Sequence, residues 1–137
     1  MTASGVLRCK PGVTFEVIAP GGVRILSALD GTARMMGIDL FITAGTNDHA
    51  GGRHPFGEAF DVSVKDMSPT MIAKVKRHLE QVLGDRFTVL YEVPAKPNDP
   101  QLAAIAYVNA QATGAHFHVQ VRKGTEYPPR DSGALFG

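Results

Sequence analysis

Cysteine is almost missing from this chain: Cys9 is the only one in 137 residues. An internal disulfide is therefore excluded, and so is a thiolate-rich metal site; any ion must be held through nitrogen and oxygen. Charge of one sign is lacking as well. Fourteen Lys and Arg face thirteen Asp and Glu, a formal net charge of +1. With no long basic run and no interleaving of basic and aromatic residues, nothing points to nucleic acid. No stretch is long and apolar enough to cross a membrane. Internal repeats and low-complexity segments are absent. The start, Met1-Thr2-Ala3-Ser4-Gly5-Val6-Leu7-Arg8, lacks the charged lead and apolar middle of a secretory signal. The expectation is a chain made for the cytosol, one that reaches its place of action by another route, or a mature form whose leader has been removed.

What remains is the make-up of a single globular domain over residues 1–137. Val13 to Ile18 reads as a short strand closed by a Pro20-Gly21-Gly22 turn. Ile25, Leu26, Leu29, Ala33 and Met36 recur at helical spacing. Gly31 weakens that helix by roughly 1 kcal/mol relative to alanine, and Gly37 is a natural stop. Ile38 to Thr43 is an apolar strand, followed by a polar loop from Gly45 to Phe56. Glu58 to Val64 alternates, with Phe60, Val62 and Val64 on one face and Ala59, Asp61 and Ser63 on the other. Ser68-Pro69 opens a second helix with a serine cap and a proline in the first turn. Its apolar stripe is Ile72, Val75, Leu79, Val82 and Leu83, and Gly84 ends it. Phe87 to Val93 is a strand with Thr88, Leu90 and Glu92 on one face. Pro94 to Pro100 is a loop, and Leu102 to Gln111 suits a short helix or a strand equally. His116 to Arg122 is a strand, and Pro128 to Gly137 a loosely held tail. This order, without regular βαβ alternation, predicts an α+β domain with a mainly antiparallel sheet and helices packed on one face.

Four side chains stand out: His54 and Asp61, seven residues apart, and the pair His116 and His118. Residues two apart in a strand share a face, so His116 and His118 look out together, about 7 Å apart at the backbone. Phe117, Val119 and Val121 then anchor the strand in the core. Asp61 sits among small neighbours on its own strand, and His54 lies in the turn before it. Imidazoles plus a carboxylate suffice for a zinc ion with a position left for water. A chance pair of histidines explains less, because ligand number and ligand type both fit here. His78 belongs to the charged side of its helix, and His49 to ordinary loop chemistry beside Asp48.

The segments Thr43-Ala44-Gly45-Thr46-Asn47-Asp48-His49, His54-Pro55-Phe56-Gly57-Glu58-Ala59-Phe60-Asp61-Val62, Val89-Leu90-Tyr91-Glu92 and His116-Phe117-His118-Val119 together resemble the zinc D-Ala-D-Ala carboxypeptidase family. That family includes bacterial and phage peptidoglycan peptidases, and the Hedgehog signalling domain shares its fold. The likeness runs over roughly residues 38 to 122. It implies one Zn2+ ion held by His54, Asp61 and His118, Glu92 as general base, and His116 beside the metal to steady the transition state. It also implies a Hedgehog-like fold and a peptidoglycan stem peptide as substrate. Two departures matter. Gly52 stands where relatives commonly carry serine. The upstream turn, Gly45-Thr46-Asn47, lacks the arginine that pairs with a substrate carboxylate in the carboxypeptidase branch. Arg53 is the nearest arginine to take that part, so exopeptidase and endopeptidase action stay equally open. Pro94 to Gly114 is longer than the short turn of close relatives. It reads as an insertion that lines the substrate groove or adds a strand.

The resemblance thus implies a zinc metallopeptidase cutting an amide bond in peptidoglycan, with neither nucleic acid nor membrane as partner. Cytoplasmic synthesis combined with a cell-wall target suits a phage lysis enzyme or a virion component alongside other phage particle proteins. The alternative is a zinc-stabilised binding or structural module without catalysis, since fold does not fix function.

Overall fold

The computed structural model describes residues 5–15, 18–45 and 57–125. His49, Arg53, His54 and the tail from 128 onward lie outside the described residues. The elements are β1 (Leu7–Cys9), α1 (Pro20–Met36), β2 (Leu40–Ala44), β3 (Ala59–Ser63), α2 (Pro69–Leu83), β4 (Phe87–Val93), α3 (Pro100–Ile105), β5 (Ala106–Val108) and β6 (His116–Val121). They make an α+β domain with one six-stranded sheet in the order β1-β2-β3-β6-β4-β5. None of the described helices is long and apolar enough to cross a membrane.

The sheet is mixed, not the mainly antiparallel one expected. Its four inner strands pair antiparallel, β2 with β3, β3 with β6 and β6 with β4, whereas both edge strands pair parallel, β1 with β2 and β4 with β5. The cause is connectivity. β1 reaches β2 through α1 and β4 reaches β5 through α3, and a helical crossover returns the chain in the same direction. The segment after Val93 therefore builds a short helix and an edge strand, both of the shapes that Leu102 to Gln111 allowed.

Two local expectations are corrected. Val13 to Phe15 is not a strand; β1 lies earlier, at Leu7–Cys9, and takes the free edge of β2, with the Lys10 amide donating to the Ile42 carbonyl at 2.8 Å. Val13 and Phe15 instead pack against the core as side chains. Pro20-Gly21-Gly22 is not a turn but the first residues of α1, with Pro20 in the first-turn position where its missing N–H costs nothing. The rest of α1 follows the periodicity: Ile25, Leu29 and Ala33 are fully buried, and Gly37 closes the helix at φ 66°. α2 begins as expected, with Ser68 Oγ accepting from the Met71 amide at 3.1 Å. Its stripe is Ile72, Val75, Leu79 and Leu83; Val82 is left 37% exposed at the margin.

Gly22 explains why α1 begins with glycines. A Cβ there would lie 1.9 Å from the Gly57 carbonyl oxygen and 3.2 Å from Ile18 Cγ2. Gly57 itself has φ 69° and leads directly into β3. The helix start thus packs backbone to backbone against the chain that delivers Asp61. Gly22→Ala is expected to cost about 1–3 kcal/mol through overpacking, read as a lower denaturant midpoint at unchanged slope. An unchanged midpoint would mean that this approach is slack.

The core lies between the helices and one face of the sheet. Phe60 and Val62 of β3, Val89 and Tyr91 of β4, and Phe117, Val119 and Val121 of β6 all point into it. Each such burial contributes about 1.5–3 kcal/mol. A one-residue slip of β6 would turn Phe117, Val119 and Val121 out to solvent, so their burial fixes the register. The same alternation leaves His116, His118 and Gln120 on the opposite face.

Candidate metal and catalytic site

The open face of the three central strands carries two adjacent rungs. In one, Asp61 of β3 pairs with His118 of β6, which pairs with Leu90 of β4. In the next, Ser63 pairs with His116, which pairs with Glu92. Side chains opposite one another on one face stand about 4.5–5.5 Å apart at Cβ. Three separate strands therefore bring Asp61, Glu92, His116 and His118 together without any loop. Beside Asp61 the β2–β3 register slips between Ile42 and Ala44. Bulges of this kind are frequent next to functional sites, where they re-aim a side chain.

His118 is held at both ring nitrogens. Nδ1 lies 2.9 Å from Asp61 Oδ1, and Nε2 lies 2.7 Å from Gln120 Oε1. An amide oxygen only accepts, so Nε2 carries a proton. A carboxylate also accepts, so in the metal-free chain the Asp61 contact at Nδ1 favours the protonated ring. Burial is the largest single influence on this ring and pushes its pKa down. The hydrogen bonds to Asp61 and Gln120, with the charges of Asp61 and Glu92, outweigh burial and raise the pKa above its ordinary 6.5. Asp61 itself is a buried carboxylate, 5% exposed, which an interior tolerates only when it is partnered.

The sign of this linkage sets a prediction. A raised folded-state pKa stabilises fully below 6.5 and is lost as pH rises through the higher folded value. Chelator-treated protein is therefore expected to lose melting temperature progressively above pH 6.5. In thermal scans of the metal-free chain, a melting temperature flat or rising through that range would contradict the imidazolium–carboxylate pair.

His116 forms a second unit. Its Nδ1 donates to the Gly114 carbonyl at 3.0 Å, and its Nε2 lies 2.8 Å from Glu92 Oε1 and 3.8 Å from Asp61 Oδ1. With Nδ1 turned to Gly114, Nε2 is the ring atom that faces the Glu92 carboxyl group. Asn109 Nδ2 donates to the other oxygen of Glu92 at 3.1 Å, fixing the plane of the carboxyl group. Asn109 follows β5, so the segment between Glu92 and His116 reaches the site through this side chain and through the Gly114 carbonyl.

Of the residues singled out in the sequence, the structure brings together Asp61, Glu92, His116 and His118. His54 and Arg53 fall outside the described residues. Gln120 and Asn109 were missed. Gln120 was accessible in principle, since it is the next outward residue after His116 and His118. Asn109 had no signal, because its role depends on where the inserted segment docks.

Among the described residues, no group of three or more His, Cys, Asp and Glu is arranged to hold a metal ion. Asp61 and His118 nevertheless suit two positions of such a site. Their Oδ1 and Nδ1 face each other at 2.9 Å. Two donors of a tetrahedral zinc with bonds near 2.0–2.1 Å stand about 3.3 Å apart, so a small opening of this pair admits an ion in place of the shared proton. Gln120, 2.7 Å from Nε2, orients this imidazole from the side away from Asp61, as a supporting hydrogen bond does for a metal-bound ring. Comparison with protein-family models, with characterised proteins and with solved structures gives no match.

Proposed function

We propose that the chain is a zinc-dependent peptidase of the D-Ala-D-Ala carboxypeptidase type, acting on an amide bond of peptidoglycan stem peptides. In this reading His54, Asp61 and His118 hold one zinc ion on a Hedgehog-like fold. The observation that carries it is the pairing of two rungs: a buried Asp61–His118 couple beside a Glu92–His116 couple, 3.8 Å apart at Asp61 Oδ1 and His116 Nε2. The first has ligand chemistry, and the second has the chemistry of proton transfer. The motif resemblance supplies the substrate class.

Zinc bound there would supply a water acidic enough to attack at neutral pH and a Lewis acid for the scissile carbonyl. Every other part belongs to the chain. Glu92 takes the proton of the attacking water and later hands it to the leaving amine. Asn109 holds the carboxyl group in orientation for that exchange. His116, with Nδ1 fixed on Gly114, presents Nε2–H to the developing oxyanion. Gln120 keeps His118 in the tautomer that points Nδ1 at the ion. Arg53 is the candidate for contact with a substrate carboxylate. Synthesis in the cytoplasm with action at the cell wall, as in a phage lysis or virion-borne enzyme, fits a chain of this type.

Metal analysis followed by digestion of purified peptidoglycan and mass measurement of the products tests the reading. The expected result is one zinc per chain and new amine and carboxyl termini within the stem peptide. A chain that binds zinc and gains stability from it but releases no fragment would be the non-catalytic module instead. A chain that binds none refutes both.

A further inference from the structure

The open face does not end at the two rungs. A groove of about 560 Å³ runs beside them, lined by Lys10, Phe41, Thr43, Ser63, Lys65 and Asp66 among others. Ser63 ties it to the site. It is the cross-strand partner of His116 and the next outward residue of β3 after Asp61, about 7 Å along the backbone, so the groove borders the rung that carries His116. Ser63 is itself fixed, its Oγ accepting from the Lys65 amide at 3.1 Å. Phe41 gives the groove an apolar wall, 42% exposed.

Its charge is the informative part. Among the described residues neither the Lys10 nor the Lys65 ammonium has a carboxylate within salt-bridge distance, whereas Arg8, Arg34 and Lys76 each pair with one. Among the described residues Asp66 is the one carboxylate along the groove, and it also borders a neighbouring hollow lined by Asp39. Asp66 is also the only non-glycine with positive φ among the described residues, at 67°. That backbone shape turns the chain sharply straight after Lys65, at the rim of the groove. Two cations with no carboxylate partner among the described residues, set around a half-apolar channel, present a potential suited to an anionic group on a peptide.

We propose that this groove is the substrate subsite flanking the cut amide, and that Lys10 and Lys65 select a peptide carrying a carboxylate one or two residues from the scissile bond. The proposal rests on the peptidase reading above. The carboxylate belongs either to an acidic side chain or to a free C-terminus, and synthetic tetrapeptides separate these sources. One set carries Glu or Gln next to the scissile amide with an amidated end; the other carries Gln with a free or amidated end.

Hydrolysis by the zinc-loaded full chain and calorimetric binding to it are measured for each peptide. The same is done for the Lys10→Ala/Lys65→Ala double variant and the Lys10→Arg/Lys65→Arg pair. The carboxylate-bearing peptide is expected to show a KM and a dissociation constant about three- to tenfold lower than its neutral twin, as two partly exposed charge contacts allow. The alanine variant should erase that difference, the arginine variant should restore it, and added salt should shrink it. Equal handling of acidic and neutral peptides, or an equal loss on both in the alanine variant, overturns the subsite. If no peptide is cut, the peptidase reading fails, and the calorimetric difference between the peptides still decides the groove by itself.

Discussion

His118→Ala is expected to abolish stabilisation by zinc altogether. In the native chain, zinc at a thousand times its dissociation constant would add about 4 kcal/mol to folding stability by mass action. For a domain of this size that corresponds to roughly 10 °C or more in melting temperature. The variant should show no zinc-induced shift and no zinc after dialysis. Its metal-free form should also be weaker than the metal-free native chain, by about 3 kcal/mol. The substitution takes the imidazole away from Asp61, a side chain only 7% exposed, and breaking a partly buried ion pair costs that order of energy. These two losses have different signatures. The second is present with or without metal, and the first appears only on adding it. His116→Ala supplies the control: it removes a neighbour of the ion and not a ligand, so the zinc-induced shift should survive. A variant at 118 that keeps the full zinc response would remove the first rung from the metal site.

How far the sequence could be read depended on whether a feature was periodic or positional. Phe87–Val93 was legible to the residue, because one face is buried and the other is not, and strict alternation follows. The same logic set His116 and His118 on one face of β6 and Asp61 opposite the core-facing Phe60 and Val62. The start of α2 was legible because Ser68 and Pro69 carry a local mechanism for beginning a helix. What escaped was set by tertiary context. β1 is three residues long, with only Leu7 reaching the core and Arg8 and Cys9 exposed, so no pattern marks it. Gly21 and Gly22 read as a turn because the need for a bare backbone against Gly57 is invisible in one dimension. The parallel edges of the sheet follow from where α1 and α3 return the chain, which no local spacing records.

The division of the site into two units has a physical consequence. On the proposed reading a cation enters the Asp61–His118 couple only by displacing a proton, so metal affinity should fall in acid while the metal-free fold gains there. Glu92 and His116 lie on the adjacent rung, 2.8 Å apart. In the proposed site the ligand couple and the proton-transfer couple sit on separate rungs, so each can be changed without dismantling the other. Substitutions on the second rung should therefore affect chemistry and leave the metal in place.

Glu92→Gln is the sharpest case. The amide is the same size, and its oxygen can still accept from Asn109 Nδ2, now 3.1 Å from Glu92 Oε2. Its NH2 then faces His116 Nε2, 2.8 Å from the present Oε1, and must donate to it. Since His116 Nδ1 already donates to Gly114, the variant holds the ring in the Nδ1–H tautomer with Nε2 as acceptor. One substitution thus removes the proton acceptor for the attacking water and the Nε2–H that would meet the oxyanion. Loss of a general base alone is worth on the order of 10²–10⁴ in rate. The variant is expected to reach at least that drop in kcat, with zinc content and the zinc-induced melting shift unchanged. The nitrogen NMR shifts of the His116 ring give a readout free of catalysis, with Nε2 moving to the unprotonated range in the variant. Retained activity would require another base. An altered zinc content would mean that Glu92 belongs to the ion and not to the proton.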